Sequence, residues 1–136
     1  MKGVIQDDQA ARRIIEKELN ITISEPFSGL VFFDGTRAIG AAIFNKYDKW
    51  DVEFTCVLFE DNLGMRIARQ VAWYVFGVMK CHRCTAITMK SNIKAQTALK
   101  KIGFQFEGIM REHFPDREDG LVYGILRHEQ RLMRHL

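Results

Sequence analysis

Residues 50 to 90 constrain the fold more than any other part of the chain, because they read strand, helix, strand. Polar and apolar residues alternate from Trp50 to Phe59, which predicts a strand. Gly64 to Lys80 carries an apolar stripe at helical spacing, and Cys84 to Lys90 has the length of a short strand. Because two parallel strands need a long crossover between them, this unit favours a parallel pair covered by a helix.

The rest of the chain supplies further strands and helices on both sides of this unit. They are a helix over Asp7–Leu19, strands Leu30–Phe33 and Ala38–Phe44 joined through Asp34-Gly35, a helix from a cap at Asn92 to Gly103, and strands Phe104–Phe114 and Leu121–His128. We therefore predict a mixed α/β (α+β) fold in one domain over residues 1–136. Its central mixed sheet of about six strands is flanked by helices.

Composition excludes several classes of protein. With 136 residues, 47% of them apolar, the chain is long enough to bury a core and too apolar to be disordered. No apolar run approaches the ~20 residues that span a bilayer, so no membrane association is expected. Residues 1 to 8 lack the apolar core of a signal peptide, which predicts a cytoplasmic location.

The three cysteines do not indicate a metal site. Cys81 and Cys84 form a Cys-x-x-Cys pair, but a structural zinc site needs four ligands and the chain has no second such pair. Three thiols cannot all be joined in disulfides, and nothing indicates an oxidising compartment. Cys56 falls at a core position of its strand. We predict no metal.

Charge is distributed unevenly along the chain. Residues 62 to 101 contain eight Lys or Arg and no Asp or Glu, although the net charge is only +3. Such a block attracts a phosphate-bearing ligand or nucleic acid, or it is simply a solvated basic helix face. The aromatic residues lie mostly at core spacing, so a stacking platform for nucleic acid is disfavoured.

A specific combination of residues occupies the segment from Asn92 to Gly108. It contains Asn92, Ala95, the run Lys101-Ile102-Gly103-Phe104, then Glu107-Gly108 with Arg111 beyond it. This pattern resembles the GNAT superfamily of acyl-CoA-dependent N-acyltransferases, and Asp119 to Arg127 is similar to the last strand of that family. The closest likeness is to the branch that acetylates protein N-termini and to small GNAT-like proteins of tailed bacteriophages.

The resemblance implies a site for acetyl-CoA where the strands Trp50–Phe59 and Cys84–Lys90 splay apart. The pantetheine arm would pair with backbone near Cys56 and Val57, and Asn92 would bind the arm, cap its helix, or do both. The pyrophosphate would lie at the start of the Gly64–Lys80 helix, where free N–H groups bind anions. The residues implied there are Asn62, Leu63, Gly64, Met65 and Arg66.

Two positions depart from the family pattern. The family's phosphate loop reads Arg or Gln, two spacers, Gly, one spacer, then Gly or Ala; the chain has Phe59, Asn62 and Gly64 at these places. The Tyr that protonates the leaving thiolate in many members is Leu99 here. A catalytically degenerate protein with a structural or partner-binding role is therefore the alternative to an enzyme.

Acetyl transfer to an amine also needs a base. Glu53 is the best candidate, since it lies on the strand beside the expected thioester; the alternative is an ordinary strand carboxylate. We predict an N-acetyltransferase whose acceptor is a primary amine on a protein N-terminus, a lysine or a small molecule. The acids of the loop after Phe114 favour a cationic acceptor or serve solubility only, and a homodimer is left open.

Overall fold

The computed structural model describes residues 1–61 and 64–133, and its strands form one seven-stranded sheet. The strands are β1 Lys2–Gln6, β2 Phe27–Asp34, β3 Arg37–Asn45, β4 Asp51–Leu58, β5 Arg83–Met89, β6 Gln105–Met110 and β7 Gly120–Leu126. The helices are α1 Asp8–Leu19, α2 Met65–Ala72 and α3 Ile93–Ile102, with a π-helical segment Trp73–Val78 after α2 and a 3-10 turn Arg127–Glu129.

The sheet is mixed, with the order β1-β2-β3-β4-β5-β7-β6. Only β4 and β5 run parallel; the other neighbours are antiparallel. This confirms the predicted mixed α/β fold with helices around a central sheet. The sheet has one strand more than the six or so predicted, because the sequence did not predict β1. This strand pairs with β2 from Lys2 opposite Asp34 to Gln6 opposite Leu30.

The parallel pairing in the centre of the sheet is short. β4 and β5 pair only from Asp51 opposite Arg83 to Phe54 opposite Ala86. Beyond that point β4 stays paired with β3 as far as Leu58, and β5 stays paired with β7 as far as Met89. Over the described residues, the second half of β4 therefore has no strand partner on its β5 side, and the two strands part.

The two faces of the sheet carry separate cores because side chains alternate along each strand. On one face, Val52 and Phe54 pack with residues of α2, the π-helical segment and α3, such as Ile67, Val75 and Leu99. On the other face, Val57 and Ile43 pack with Ala11 and Ile15 of α1. We call these the α2/α3 face and the α1 face. Along β4, Glu53, Thr55 and Val57 point to the α1 face.

The start of α1 is attached directly to β2. Asp7 caps the helix by accepting a hydrogen bond from the N–H of Ala10 at 3.1 Å. Its own N–H donates to the Gly29 carbonyl at 3.1 Å, and the Gly29 N–H donates to Asp8 Oδ1 at 2.8 Å. A Cβ on Gly29 would lie 2.5 Å from the Cβ of Ala11. Glycine at this position lets the helix approach the sheet closely.

The predicted helix over Gly64–Lys80 is present with a change of pitch. α2 ends at Ala72 and the chain continues as a π-helix, with the Met79 N–H donating to the Tyr74 carbonyl at 2.9 Å. Its glycine, Gly77, lies under the ring of Trp73, where a Cβ would come within 2.4 Å. Among the described residues, no helix is long and apolar enough to cross a bilayer.

The contact between α1 and β2 predicts that Gly29→Ala will destabilise the protein by about 2 kcal/mol, because the added methyl group overpacks the contact with Ala11. Denaturant unfolding of the purified variant measures this loss. Gly3→Ala is a matched control, because a Cβ there meets nothing within 4 Å. A Gly29→Ala variant as stable as the Gly3→Ala variant would contradict the close approach.

Candidate functional site

A network of polar side chains holds β4 and β5 together at their paired end. Arg83 of β5 makes a bidentate contact with Glu107 of β6 and lies 3.9 Å from Asp51 of β4. Thr85 donates to Asp51 Oδ1 at 3.1 Å. The hydrogen bond from Arg83 lowers the pKa of Glu107, whereas burial raises the pKa of Asp51. The strands are therefore fixed at one end and separate at the other.

Glu53 lies one residue before the strands part. Its carboxylate is 18% exposed and pairs with Lys46 Nζ at 3.3 Å, while Lys46 itself is 62% exposed. The side chain lines a cleft of about 340 Å³ on the α1 face, which we call the Glu53 cleft. The walls come from the α1–β2 loop (residues 21–24), the β3–β4 strands, Ile87 of β5 and the β6–β7 loop (residues 113–115).

Cys56 and Val57 lie in the half of β4 that has no partner on its β5 side. Their backbone pairs with Ala42 and Ala41 of β3 on the opposite edge. The free edge offers N–H and C=O groups in strand geometry, which is how an extended amide-bearing ligand adds to a sheet. Because the Phe59 N–H donates to the Ile39 carbonyl, the alternation of the antiparallel pair turns the backbone groups of Val57 towards β3 and those of Cys56 towards the open side.

The start of α2 has features that suit an anion. Gly64 precedes the helix with φ 86° and offers no side-chain cap, and the first turn contains no acidic residue. The N–H groups of Met65 and Arg66 lie in the first turn, where an α-helix has no internal carbonyl to accept them. A cavity of about 90 Å³ separates this turn from α3, with Thr97 and Lys101 on the far wall.

Two basic side chains around this turn have partners within the protein. Arg66 is exposed and donates to Met1 Sδ at 3.3 Å, so it points towards β1. Lys94 pairs with Asp61 at 3.7 Å. Asn62 and Leu63, which sequence reasoning also assigned to this site, lie outside the described residues.

Lys2 is a residue that sequence reasoning missed. A Cβ built on Gly64 would lie 3.3 Å from its Cδ and 3.9 Å from its Nζ, so the lysine of β1 reaches the start of α2. The signal could not be found in the sequence, because 62 positions separate the two residues and the strand that joins them was not predicted. Lys2 adds a positive charge beside the helix N-terminus.

Asn92 caps α3, accepting a hydrogen bond from the Ala95 N–H at 3.2 Å on its Oδ1. The helix ends at Gly103 with φ 110°, a conformation that suits glycine. Asn92 thus has the structural role that the sequence predicted, and the same side chain stands at the end of β5 where the strands have parted. Whether it also binds a ligand stays a prediction.

Neither tyrosine near the matched segments lines the Glu53 cleft. The Tyr74 hydroxyl donates to Ser28 Oγ at 2.7 Å, and Tyr123 is fully buried in the core against Phe106. Leu99, at the position of the family's acid, is 2% exposed and packs in the core of the α2/α3 face. Tyr123 pairs with Ala86, the β5 residue opposite Phe54 where the β4–β5 pairing ends, and its ring lies in the core of the α2/α3 face.

The cysteines and other ligating side chains do not assemble into a metal centre. Within residues 1–61 and 64–133, no group of three or more His, Cys, Asp or Glu could hold a metal ion. Burial raises the pKa of Cys56 to about 12 and that of Cys81 to about 11. Burial also raises the pKa of Cys84. These thiols are protonated at neutral pH, which suits core packing and disfavours nucleophilic catalysis.

The chain matches the family model of the acetyltransferase (GNAT) domain over residues 1–105. No curated protein matches it. Mutant forms of the spermidine/spermine N-acetyltransferase SpeG from Vibrio cholerae align with a TM-score of 0.70 at 18% identity, covering 94% of this chain and 96% of that one. A chimera of that SpeG with hSSAT aligns at 0.70 and 17%, covering 93% and 96%. At this identity the likeness concerns the fold.

The raised thiol pKa values predict that native thiols react at least a hundredfold more slowly with a thiolate-specific reagent at pH 8 than the unfolded chain does. Because folding keeps these thiols protonated, the unfolded chain loses its protons first. The contribution of these thiols to the free energy of unfolding should therefore be fully present below the ordinary thiol pKa of 9.0. It should be lost as the pH rises towards 11–12. Timed colorimetric labelling in buffer and in guanidinium measures the first effect. Rapid labelling of one native thiol would contradict the assignment.

Proposed function

The chain belongs to the GNAT acetyltransferases, and from that membership we propose that it transfers an acetyl group from acetyl-CoA to a primary amine, with Glu53 as the base. The observation that carries the proposal is the position of Glu53, which lines a cleft one residue before β4 and β5 part. A carboxylate there is within reach of both an acceptor in the cleft and a thioester between the strands.

The residues proposed to hold acetyl-CoA fit its chemistry. We assign the pantetheine arm to the half of β4 that contains Cys56 and Val57, where the β5 side is open, and to Asn92 at the start of α3, three residues after the end of β5. The N–H groups of Met65 and Arg66 in the first turn of α2, directly after Gly64, support a pyrophosphate because they point out of the start of the helix. Asn62 and Leu63, which lie outside the described residues, stay predictions for the same phosphate site. Lys2 supplies a charge that Phe59 does not.

Acetyl-CoA supplies an activated acetyl group as a thioester. The acceptor nitrogen forms a bond to the carbonyl carbon while the carbon–sulfur bond breaks, and the proton lost from nitrogen passes to a Glu53 carboxylate oxygen. Lys46 Nζ lies 3.3 Å from Glu53 Oε2 and helps to hold the carboxylate in the cleft. The Glu53 cleft excludes part of the solvent and holds the amine against the base.

Protonation of the leaving thiolate does not demand a phenol. A thiol has a pKa near 8.5, so the CoA thiolate is a stable leaving group at neutral pH and takes a proton from water. The buried Leu99 is therefore compatible with catalysis. It removes a contribution to rate, in the range of roughly 10² to 10⁴ that a positioned acid provides.

The alternative is a degenerate member that binds a partner and does not transfer acetyl groups. The observations that favour it are Leu99, which is packed in the core, and Phe59, which stands exposed where the family carries a polar side chain. Under this alternative the chain binds acetyl-CoA weakly or not at all. A stable partner or homodimer would then account for the retained fold.

The acceptor is proposed at the level of a primary amine: a protein N-terminus, a lysine, or a small amine such as the polyamines named for the SpeG structures. The likeness to the N-terminal-acetylating branch, a bacteriophage origin and a cytoplasmic location stay predictions. The acid-free block is proposed to serve the phosphates of CoA, and nucleic acid is not the proposed partner.

Calorimetric titration with acetyl-CoA should show saturable binding at micromolar concentration. Because CoA carries a 3′-phosphate and the block is basic, 3′-dephospho-CoA should bind about tenfold more weakly, and the difference should shrink as salt rises. No heat and no thermal stabilisation at millimolar acetyl-CoA would contradict the enzyme and favour the degenerate alternative.

Glu53→Gln should lower kcat by about a hundredfold with any accepted amine, since the substitution keeps the shape and removes the base. The affinity for acetyl-CoA and the unfolding temperature should change little. Release of CoA thiol, followed with a chromogenic disulfide, measures the rate. Glu18→Gln on the exposed side of α1 is the matched control. Equal activity of the two variants would remove Glu53 as the base.

A further inference from the structure

Asn45 is the last residue of β3 and lies directly opposite Glu53 in the antiparallel pair. Both side chains line the Glu53 cleft on the α1 face. Directly opposed residues in such a pair have Cβ atoms roughly 5 Å apart. An amine held at Glu53 therefore brings its neighbouring atoms to the side chain of Asn45.

The Asn45 amide is only half satisfied. Its Nδ2 donates to Ser24 Oγ at 3.2 Å, but its Oδ1 has no hydrogen-bond partner among the described residues. The residue is 6% exposed, so this oxygen is an unpaired acceptor in a buried position. An unpaired buried acceptor is destabilising unless a bound group supplies the donor. Ser24 belongs to the α1–β2 loop that forms one wall of the Glu53 cleft, so contact between the oxygen and a ligand requires the amide or this loop to move.

The charges in the Glu53 cleft do not suit a second cation. Glu53 is the only acidic residue among those that line the cleft, and it is already paired with Lys46. The acids of the β6–β7 loop are used within the protein: Asp119 accepts from the Glu112 N–H, Glu118 from the Ser91 N–H, and Asp116 from the Glu118 N–H. A ligand in the cleft therefore meets the Glu53–Lys46 ion pair and uncharged polar groups such as the Asn45 amide and the Thr55 hydroxyl, and among the described residues the lining holds no further carboxylate for a second cation.

Building on the proposed function, we propose that Asn45 selects primary amines that carry an uncharged N–H or O–H donor three bonds from the nitrogen. In an α-amino amide, and equally in a vicinal amino alcohol, three bonds place the two groups roughly 3 Å apart. That spacing lets the amine contact Glu53 while the second donor reaches Asn45 Oδ1. Asn45 is thus a specificity-determining residue, and polyamines are poor acceptors.

Acetylation of alanine N-methylamide and of alanine methyl ester tests the proposal, because the ester has the same shape and lacks the N–H. The wild-type protein should acetylate the amide with a kcat/KM about tenfold higher, since the ester leaves Oδ1 unpaired. Ethanolamine and 2-methoxyethylamine make the same comparison for amino alcohols, because the ether lacks the O–H donor. Ethanolamine should be the better acceptor. 1,3-Diaminopropane should be slower than either preferred acceptor.

Two substitutions at Asn45 separate this role from a merely structural one. Asn45→Leu removes the oxygen at similar volume and should reduce the amide-to-ester ratio to about one. Asn45→Asp keeps an oxygen, so it should retain the preference and gain activity on the diamine. Thr88→Val is the matched control, because it removes the other buried unpartnered oxygen, on the α2/α3 face. It should leave the ratio at the wild-type value.

A binding measurement distinguishes a failure of selection by Asn45 from a failure of acetyl transfer itself. The side-chain amide resonances of Asn45, assigned by their loss in Asn45→Leu, should shift when the amide is added and stay in place with the ester. Equal acetylation of both acceptors, or equal shifts, would overturn the selection by Asn45 and leave the acetyltransferase intact. Absence of both transfer and shifts would overturn both.

Discussion

The parallel pairing of β4 and β5 stops after four residue pairs, and the proposed function depends on the opening beyond them. Arg83 and Asp51 lie at the paired end of the two strands, where the crossover through α2 leads into β5. Beyond Phe54 each strand keeps its other neighbour and loses this one. An opening in the middle of a sheet, rather than at its edge, exposes backbone groups that a ligand can pair with while both strands stay rigid.

Because side chains alternate along β4, the two faces of the sheet present different residues at this opening. Val52 and Phe54 belong to the core under α2 and α3, the side on which we propose that the start of α2 binds phosphate. Glu53 and Thr55 point to the opposite face and line the Glu53 cleft. Under the proposed function, a ligand along the strand edge has its phosphates on the α2/α3 face and its thioester beside Glu53, and the acceptor reaches the thioester from the α1 face.

The sequence predicted the elements that have a strong local signal. The period-two pattern at Trp50–Phe59 and the apolar stripe after Gly64 gave strand and helix in the right order, and Asn92 and Gly103 marked the ends of α3. β1 was missed because Lys2 to Gln6 is short, and its pairing with β2 is a tertiary contact. The pairing of Glu53 with Lys46 and the half-satisfied amide of Asn45 depend on side-chain positions that no spacing rule supplies.

The same missed strand changes how the departure at Phe59 is understood. Judged by the phosphate loop alone, the chain has lost a polar side chain beside the expected pyrophosphate. In the folded protein, β1 places Lys2 beside Gly64. A residue that is 62 positions away in the sequence therefore contributes positive charge near the start of α2. Electrostatic stabilisation of an anion depends on where charges lie in space and not on which loop supplies them. A degenerate loop motif is therefore weak evidence for a lost ligand when a neighbouring strand can supply the charge.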